Sequence, residues 1–414
     1  MSVQVPKGYK QTEVGVIPED WKVTLVEELG KFSKGRGIRK DEASTGDIPC
    51  VRYGEIYTHH HDYIRQFNSR ISKSVALTST PIKQGDILFA GSGETKAEIG
   101  KCVAFINNIE AYAGGDILIF SPKKDYSIFL GYLLNSPVVT KQKASKGQGD
   151  AVVHISASAL ASVKIPLPDI AEQQAIAEAL SDADTLIESL EQLIAKKRQI
   201  KQGAMQELLT GQRRLPGFSG EWEVKSLEVI ADIDPEQLNS KTFPDYEFKY
   251  ISLEDVDFGS LVSHSLQIFS SAPSRARRKL KKNDILVSTV RPNLKSHLWF
   301  KNDGADWICS TGFSVIRCHE GVANPGYVFS HLFAENVNKQ IDALLTGSNY
   351  PAINSRDVRQ LEIPLPELDE QVAISCILND LELEVVALES RLDKARQIKQ
   401  AMMQELLTGR IRLI

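Results

Sequence analysis

At 414 residues, 42% hydrophobic and 25% charged, the chain has room for two or three domains, each able to bury its own core. Its formal charge of −4 excludes attraction of a polyanion by bulk charge, so contact with nucleic acid must come from local patches. No apolar run is long enough to cross a membrane and the opening segment lacks a signal-peptide core, which predicts a cytoplasmic protein. The five cysteines are widely spaced without a CxxC pair and read as reduced thiols, neither staples nor zinc ligands.

In chain order, Trp21 opens a first half of mixed α and β pattern, and core packing is its expected role. The KGRGIRK stretch follows, with Lys34, Arg36, Arg39 and Lys40 around two glycines. Loops of this composition neutralise phosphates, and arginine also grips guanine edges. Strands are predicted over Ile48–Tyr53, Asp86–Ala90, Lys101–Phe105 and Asp116–Phe120. The loop after the second carries Lys96, and a later loop, Gly147–His154, carries Gln148. Residues 1–168 hold 21 Lys and Arg against 17 Asp and Glu.

Residues 164–215 then recur as 362–413 at a constant offset of 198, with 27 of 52 positions identical. In the first copy Ile176, Leu180, Ile187, Leu190, Ile194 and Leu208 fall, with Ala183, Lys197, Lys201 and Ala204 between them, at alternating spacings of four and three. The second copy gives Ile374, Leu378, Leu381, Val385, Leu388, Leu392 and Leu406. An apolar seam sustained for nearly five heptads predicts a coiled coil. IPLP at 165–168 and 363–366 forbids helix beforehand, Asp169 and Glu172 have capping-box spacing, and Gly211 and Gly409 stand where helices stop. About 41 helical residues would span roughly 60 Å. Helix one ends near the start of the second half and helix two begins near that half's end. A shared seam therefore requires an antiparallel pair, with the two globular halves at opposite ends.

The second half opens at Trp222, with strands predicted over Phe248–Leu253, Asp284–Ser288, His297–Phe300 and Gly312–Arg317; Gly312 is matched with Gly114. Residues 275–282 read as a loop with six cations in eight positions, including Arg275, Arg277, Arg278 and Lys279. Arg291, Asn293 and Lys295 follow the strand matching Asp86–Ala90, and Asn349 and Tyr350 occupy the loop matching Gly147–His154. Equivalent loops with different side chains suit two readers of different sequences. Residues 216–366 nevertheless hold 16 cations against 19 acids.

The fold class is therefore α+β: two mixed α/β domains (1–163 and 216–361) and two long antiparallel coiled-coil helices (164–215 and 362–414), with a pseudo-twofold internal repeat. Catalytic readings compete poorly. Phe89-Ala-Gly91-Ser-Gly93 has the form of an S-adenosylmethionine turn, and Asn324-Pro-Gly-Tyr327 that of an amino-methyltransferase tetrapeptide. The two lie in different halves, and Gly326 replaces the second proline. No phosphate-cradling GxxxxGK[ST] loop occurs, and His59-His60-His61-Asp62 fan apart too much for a metal. No catalytic residue, metal or cofactor is assigned.

The duplicated PLP…EQ…I at 166–176 and 364–374, the duplicated RQIKQ…MQELLTG at 198–211 and 396–409, and the paired GDILF and NDILV strands resemble the specificity subunit of type I restriction–modification systems. The resemblance covers nearly the whole chain. It implies two target-recognition domains, each reading one half of a bipartite, asymmetric double-stranded DNA site, with the helices fixing the gap. It also implies no catalysis in this subunit. Two methyltransferase subunits would dock on it, with restriction and translocase subunits beyond them. The readings it displaces are an adenine methyltransferase and an assembly scaffold that does not bind DNA.

Overall fold

A computed structural model describes residues 5–347 and 351–413. Contacts divide the chain into two compact units: residues up to Leu190 together with those from Arg391, and Glu191–Ser390. Both cuts fall inside the repeat helices. Each unit therefore combines one mixed domain with the first part of its own repeat helix and the last part of the other's.

The first unit is built on a four-stranded antiparallel sheet containing β1 (Gly30–Lys34), β2 (Ile87–Ala90) and β3 (Ile117–Pro122), in the order Cys102–Ala104, β2, β3, β1. The uninterrupted apolar run of β2 explains its central place. Ile87 and Phe89 enter the core shared with the helices, while Leu88 and Ala90 face the second sheet. That second sheet orders Ser69–Ile71, Ile48–Val51, Ala111–Ala113 and Thr80–Ile82, with its two central strands parallel. Helix α1 (Ser127–Leu134) covers the first sheet.

The second unit repeats this plan. β4 (Ala231–Ile233), β6 (Phe313–Cys318), β5 (Ile285–Ser288) and Leu298–Trp299 form its first sheet. Its second contains Ser265–Ile268, Glu247–Ile251, Trp307–Ser310 and Ala276–Lys279, again with a parallel central pair. Helix α3 (Pro325–His331) corresponds to α1. The predicted strands are all present, with ends displaced by one or two residues in either direction; Asp116, not Gly114, is Gly312's counterpart. Gly91 N–H donates to the Asp116 carbonyl at 2.7 Å, and Thr289 N–H to the Gly312 carbonyl at 2.8 Å.

The repeats form helices of 39 residues each, α2 (Ile170–Leu208) and α4 (Leu368–Leu406). In the first unit Ile176 and Leu180 share a core with Leu406 and Leu407. In the second, Leu208 and Leu209 share one with Ile374 and Leu378. The start of one helix meets the end of the other in both, so the two helices run antiparallel. Ion pairs agree: Lys197–Glu384 at 2.6 Å and Lys201–Glu382 in the second unit, Asp184–Lys399 at 2.7 Å in the first. Ten of the thirteen seam residues named above are buried; Ile187, Leu381 and Leu388 are half-buried.

The IPLP segments do more than exclude helix. Lys164–Leu167 pairs antiparallel with Lys22–Leu25, and Glu362–Leu365 with Glu223–Ser226, stitching each repeat to a strand near the start of its own domain. Asp169 caps α2 by accepting the Glu172 N–H at 2.9 Å. The other half of the expected capping box is not made, because Glu172 is used elsewhere. Its buried carboxylate accepts from Trp21 Nε1 at 2.9 Å and from Arg412 at 2.6 and 2.8 Å. The second unit has the same clasp: Trp222 Nε1 and Arg214 donate to Glu370 at 3.1 and 2.7 Å. Gly211 and Gly409 end the helices at φ +70° and +71°, as C′ glycines do.

Candidate nucleic-acid interface

Strand register gathers the sequence-distant loops of the first unit at one end of its main sheet. Lys34 pairs opposite Leu118 and Ala90 opposite Ile117, so the exits of β1 and β2 and the start of β3 lie side by side. Gly35 N–H donates to the Ile117 carbonyl at 2.8 Å, and a Cβ there would stand 2.1 Å from the Gly114 carbonyl oxygen. Only glycine lets the two loops approach so closely. The third loop joins through Ser92-Gly93 pairing with Val153-His154, reinforced by a 2.9 Å contact between Ser92 Oγ and His154 Nδ1. Gln148 and His154 exchange backbone hydrogen bonds, closing this hairpin.

Lys34, Arg36, Lys96 and Gln148 are thus exposed on a single sheet end. Lys96 lies 3.9 Å from Asp150, an exposed pair that solvent weakens. Lys40 and Arg39 are also exposed, but Arg39 is engaged by Glu42 at 3.1 Å and Asp41 at 3.7 Å.

The second unit assembles the matching loops in the same way. Ser288 stands opposite Phe313, and Thr346 and Ala352 exchange backbone hydrogen bonds as Gln148 and His154 do. Arg291 N–H donates to Pro351 O at 2.8 Å and Ile353 N–H to Thr289 O at 3.0 Å, which locks the 290–295 loop against this hairpin. Arg291 and Lys295 flank a short helical turn at φ +50° and +54°, left-handed conformations that non-glycine residues adopt only where surroundings dictate them. This tethered backbone carries Arg291, Asn293 and Lys295. Asn349 and Tyr350 lie outside the described residues.

The basic run at 275–282 departs from expectation. It is not a free loop: Ala276–Lys279 is an edge strand, bulged between Ala276 and Arg278. Arg278 is spent inside the protein, on Asp234, the Phe313 carbonyl and Ser355. Lys281 pairs with Glu236 at 2.5 Å and Lys282 with Asp303 at 3.0 Å. Arg277 lies over the Phe269 ring at 5.0 Å. Arg317 bridges Asp284 and Glu236, and its hydrogen bonds to them raise its pKa against the cost of burial. Glu236 is correspondingly held below the usual carboxylate range by Lys281 and Arg317. Arg275 is exposed, and Lys279 half-buried. The sequence hides these acids because Asp234 is 44 residues from the arginine it neutralises.

The methyltransferase-like motifs are structural. Asn324 is the N-cap of α3, its Oδ1 accepting the Tyr327 N–H at 3.0 Å, and its own N–H donates to Gln371 at 2.8 Å. The glycine turn belongs to the first unit and this tetrapeptide to the second. His60 is buried while His59 bonds Thr58, and among the described residues no group of three or more His, Cys, Asp or Glu is placed to hold a metal ion. No helix of the described residues is long and apolar enough to cross a membrane.

These features define an internally duplicated α+β protein whose two heads each present clustered loops at a sheet end. The family model of the type I restriction modification DNA specificity domain matches residues 18–200 and 220–399, and the chain belongs to that family. It is 25% identical to the type I restriction enzyme MjaVIII specificity subunit of Methanocaldococcus jannaschii, over 98% of this chain and 96% of that one. It is also 25% identical to the EcoKI specificity subunit of Escherichia coli, over 45% of this chain and 40% of that one. The crystal structure of the S subunit from M. genitalium has the same fold, with a TM-score of 0.62, 14% identity and 98% of both chains covered.

Proposed function

We propose that this chain is the DNA-recognition subunit of a type I restriction–modification complex, with no active site of its own. Each unit reads one half of a bipartite, asymmetric site in double-stranded DNA. The observation that carries this reading is the repeated sheet end: the same backbone gathers the same loops twice, with different side chains each time. In the first unit Lys34, Arg36, Lys96 and Gln148 form the DNA face; in the second Arg291, Asn293, Lys295, Arg275 and Lys279 do. Residues 1–163 and 216–361 act as separate readers, and the repeat segments set the unread gap and dock two methyltransferase subunits. Restriction and translocase subunits join that assembly in the cytoplasm.

The test is mapping of methylated adenines made by the reconstituted methyltransferase complex. Exchange of residues 1–163 for a relative's segment changes one half of the methylated sequence only; changes in both halves overturn modular reading. Insertion of four residues into both repeat helices lengthens each by about 6 Å and widens the gap by one to two base pairs. An unchanged gap removes the helices' role as spacer.

A further inference from the structure

The two units differ sharply in the space between helix α1 or α3 and the repeat helices. Registers here are fixed by matching hydrogen bonds: Gln173 accepts from Tyr126 N–H at 3.0 Å, and Gln371 from Asn324 N–H at 2.8 Å, each at the cap of its helix. Counting from those caps, Tyr132 of α1 corresponds to Ser330 of α3. Tyr132 is fully buried and donates its hydroxyl to Asp184 at 2.6 Å, with Lys399 Nζ 5.2 Å from its ring. The repeat offset of 198 makes Glu382 and Lys201 the counterparts of Asp184 and Lys399, and that pair is also formed.

The second unit therefore keeps the carboxylate and ammonium that receive a phenol but has lost the phenol ring. A cavity of about 350 Å³ occupies the region, lined by Ser330, Lys201 and Glu382. Its walls include Trp299, Phe329 and Phe333, and its rim includes the exposed Phe258, Leu383 and Val386. The rim is also the more apolar: Glu188 and Thr185 of the first unit are replaced by Val386 and Leu383 in the second. Trp299 also keeps its indole N–H buried without a partner among the described residues.

We infer that this cavity binds a small aromatic molecule carrying a phenolic hydroxyl. The ring lies among Trp299, Phe329 and Phe333, where edge and offset contacts between rings are favourable. The hydroxyl donates to Glu382, as Tyr132 does to Asp184, and its oxygen can accept a hydrogen bond. The volume falls in the range of small-molecule sites and exceeds a single ring, so a second fused ring also fits. This site is independent of the DNA reading, since none of its residues belongs to the sheet end.

The test uses the full chain and 4-methylphenol, followed by saturation-transfer NMR and thermal unfolding. The wild type gives a saturable signal and a Tm increase of about 2 °C near saturation; 4-methylanisole, which cannot donate, binds at least about tenfold more weakly. Ser330→Tyr restores the missing ring, raises Tm without ligand and abolishes the response. Glu382→Gln keeps size and weakens binding about tenfold, which decides the matter should Ser330→Tyr fail to fold. No saturable signal on the wild type, an undiminished response in Ser330→Tyr, or unchanged affinity in Glu382→Gln would each overturn the assignment.

Discussion

The exits of β1 and β4 occupy the same place in their units and carry opposite charge. The first runs into Lys34 and Arg36, both exposed; the second runs into Asp234 and Glu236, which draw Arg278, Arg317 and Lys281 onto themselves. A duplicated backbone can thus hold its loops in register while the electrostatic work is redistributed. In the first unit cations are left for a ligand. In the second, much of the positive charge is consumed in holding the fold, so the DNA-recognition proposal there leans on the 290–295 loop. Net charge per segment reports the difference but conceals its cause.

The largest expected contrast between the units is in acid stability. Burial depresses His297 to about 4 and His331 to about 3 in the second unit, and His60 to about 4 in the first. A folded pKa below the unfolded value of about 6.5 means that the unfolded chain takes up a proton the folded one refuses. Stability is intact above that pH and is lost as pH falls from about 6.5 toward 4. Between pH 7 and 5 the loss is about 2 kcal/mol per histidine, so about twice as large in the second unit. Trp222, Trp299 and Trp307 belong to that unit and Trp21 to the first, so tryptophan emission follows mainly the second. Its unfolding midpoint falls steeply as pH is lowered, and His331→Leu, which removes two buried nitrogens without a partner among the described residues, flattens that dependence by about half. An unchanged pH dependence would refute the assignment to His331.

Next in size are the two clasps. Arg412→Ala leaves the Glu172 carboxylate buried with only the Trp21 N–H, and Arg214→Ala does the same to Glu370 with Trp222. The first costs about 3 kcal/mol, the scale for breaking a buried pair by removing one partner; the second is also destabilising, but less so. The first is the more damaging because Arg412 also holds Asp20 at 2.7 Å. Urea unfolding of the two variants checks both the magnitude and the order; equal, negligible losses would show the clasps to be incidental.

Much of this architecture was legible in the sequence because it is written locally. Heptad spacing, a proline pair before each helix and a glycine after it specify α2 and α4, and alternating or continuous apolar runs specify the strands. The clustering of loops at each sheet end was half legible: matched positions flagged the loops, but their meeting depends on register between strands far apart in the chain. The fate of 275–282 was not legible at all. A run of cations looks the same whether solvent or Asp234 faces it, and only the edge position of Ala276–Lys279 decides. Glu172 misled for a related reason, since capping-box spacing says nothing of a tryptophan and an arginine competing for the same carboxylate.

The helix-ending glycines give a smaller contrast. A Cβ on Gly409 would stand 2.5 Å from Pro18 Cδ, whereas one on Gly211 would stand 3.4 Å from the Trp222 ring, an ordinary contact. Both positions have positive φ, so Gly211→Ala costs about 1 kcal/mol from backbone strain alone. Gly409→Ala adds displacement of a rigid proline ring and costs about 2 kcal/mol. Thermal unfolding that ranked them the other way would mean that the tail yields more readily than the proline contact implies.

An effect of similar modest size returns to the sheet ends and rests on the DNA-recognition proposal. Exposed Lys34 and Arg36 act on phosphates with no ion-pair partner among the described residues, so replacing both by alanine releases fewer counterions on binding. The slope of log K against log salt becomes shallower by about 1.8, and affinity falls about tenfold at moderate salt. Arg278→Ala behaves differently despite removing the same kind of charge. It leaves Asp234 without its guanidinium and lowers Tm, while the salt slope stays as in the wild type because Arg278 is already satisfied within the protein. Binding isotherms of the reconstituted complex at several salt concentrations separate the two. If Arg278→Ala shifted the slope as much as the Lys34 and Arg36 pair, the internal ion pairs of the second unit would open on DNA, and the contrast between the two sheet ends would vanish in the bound state.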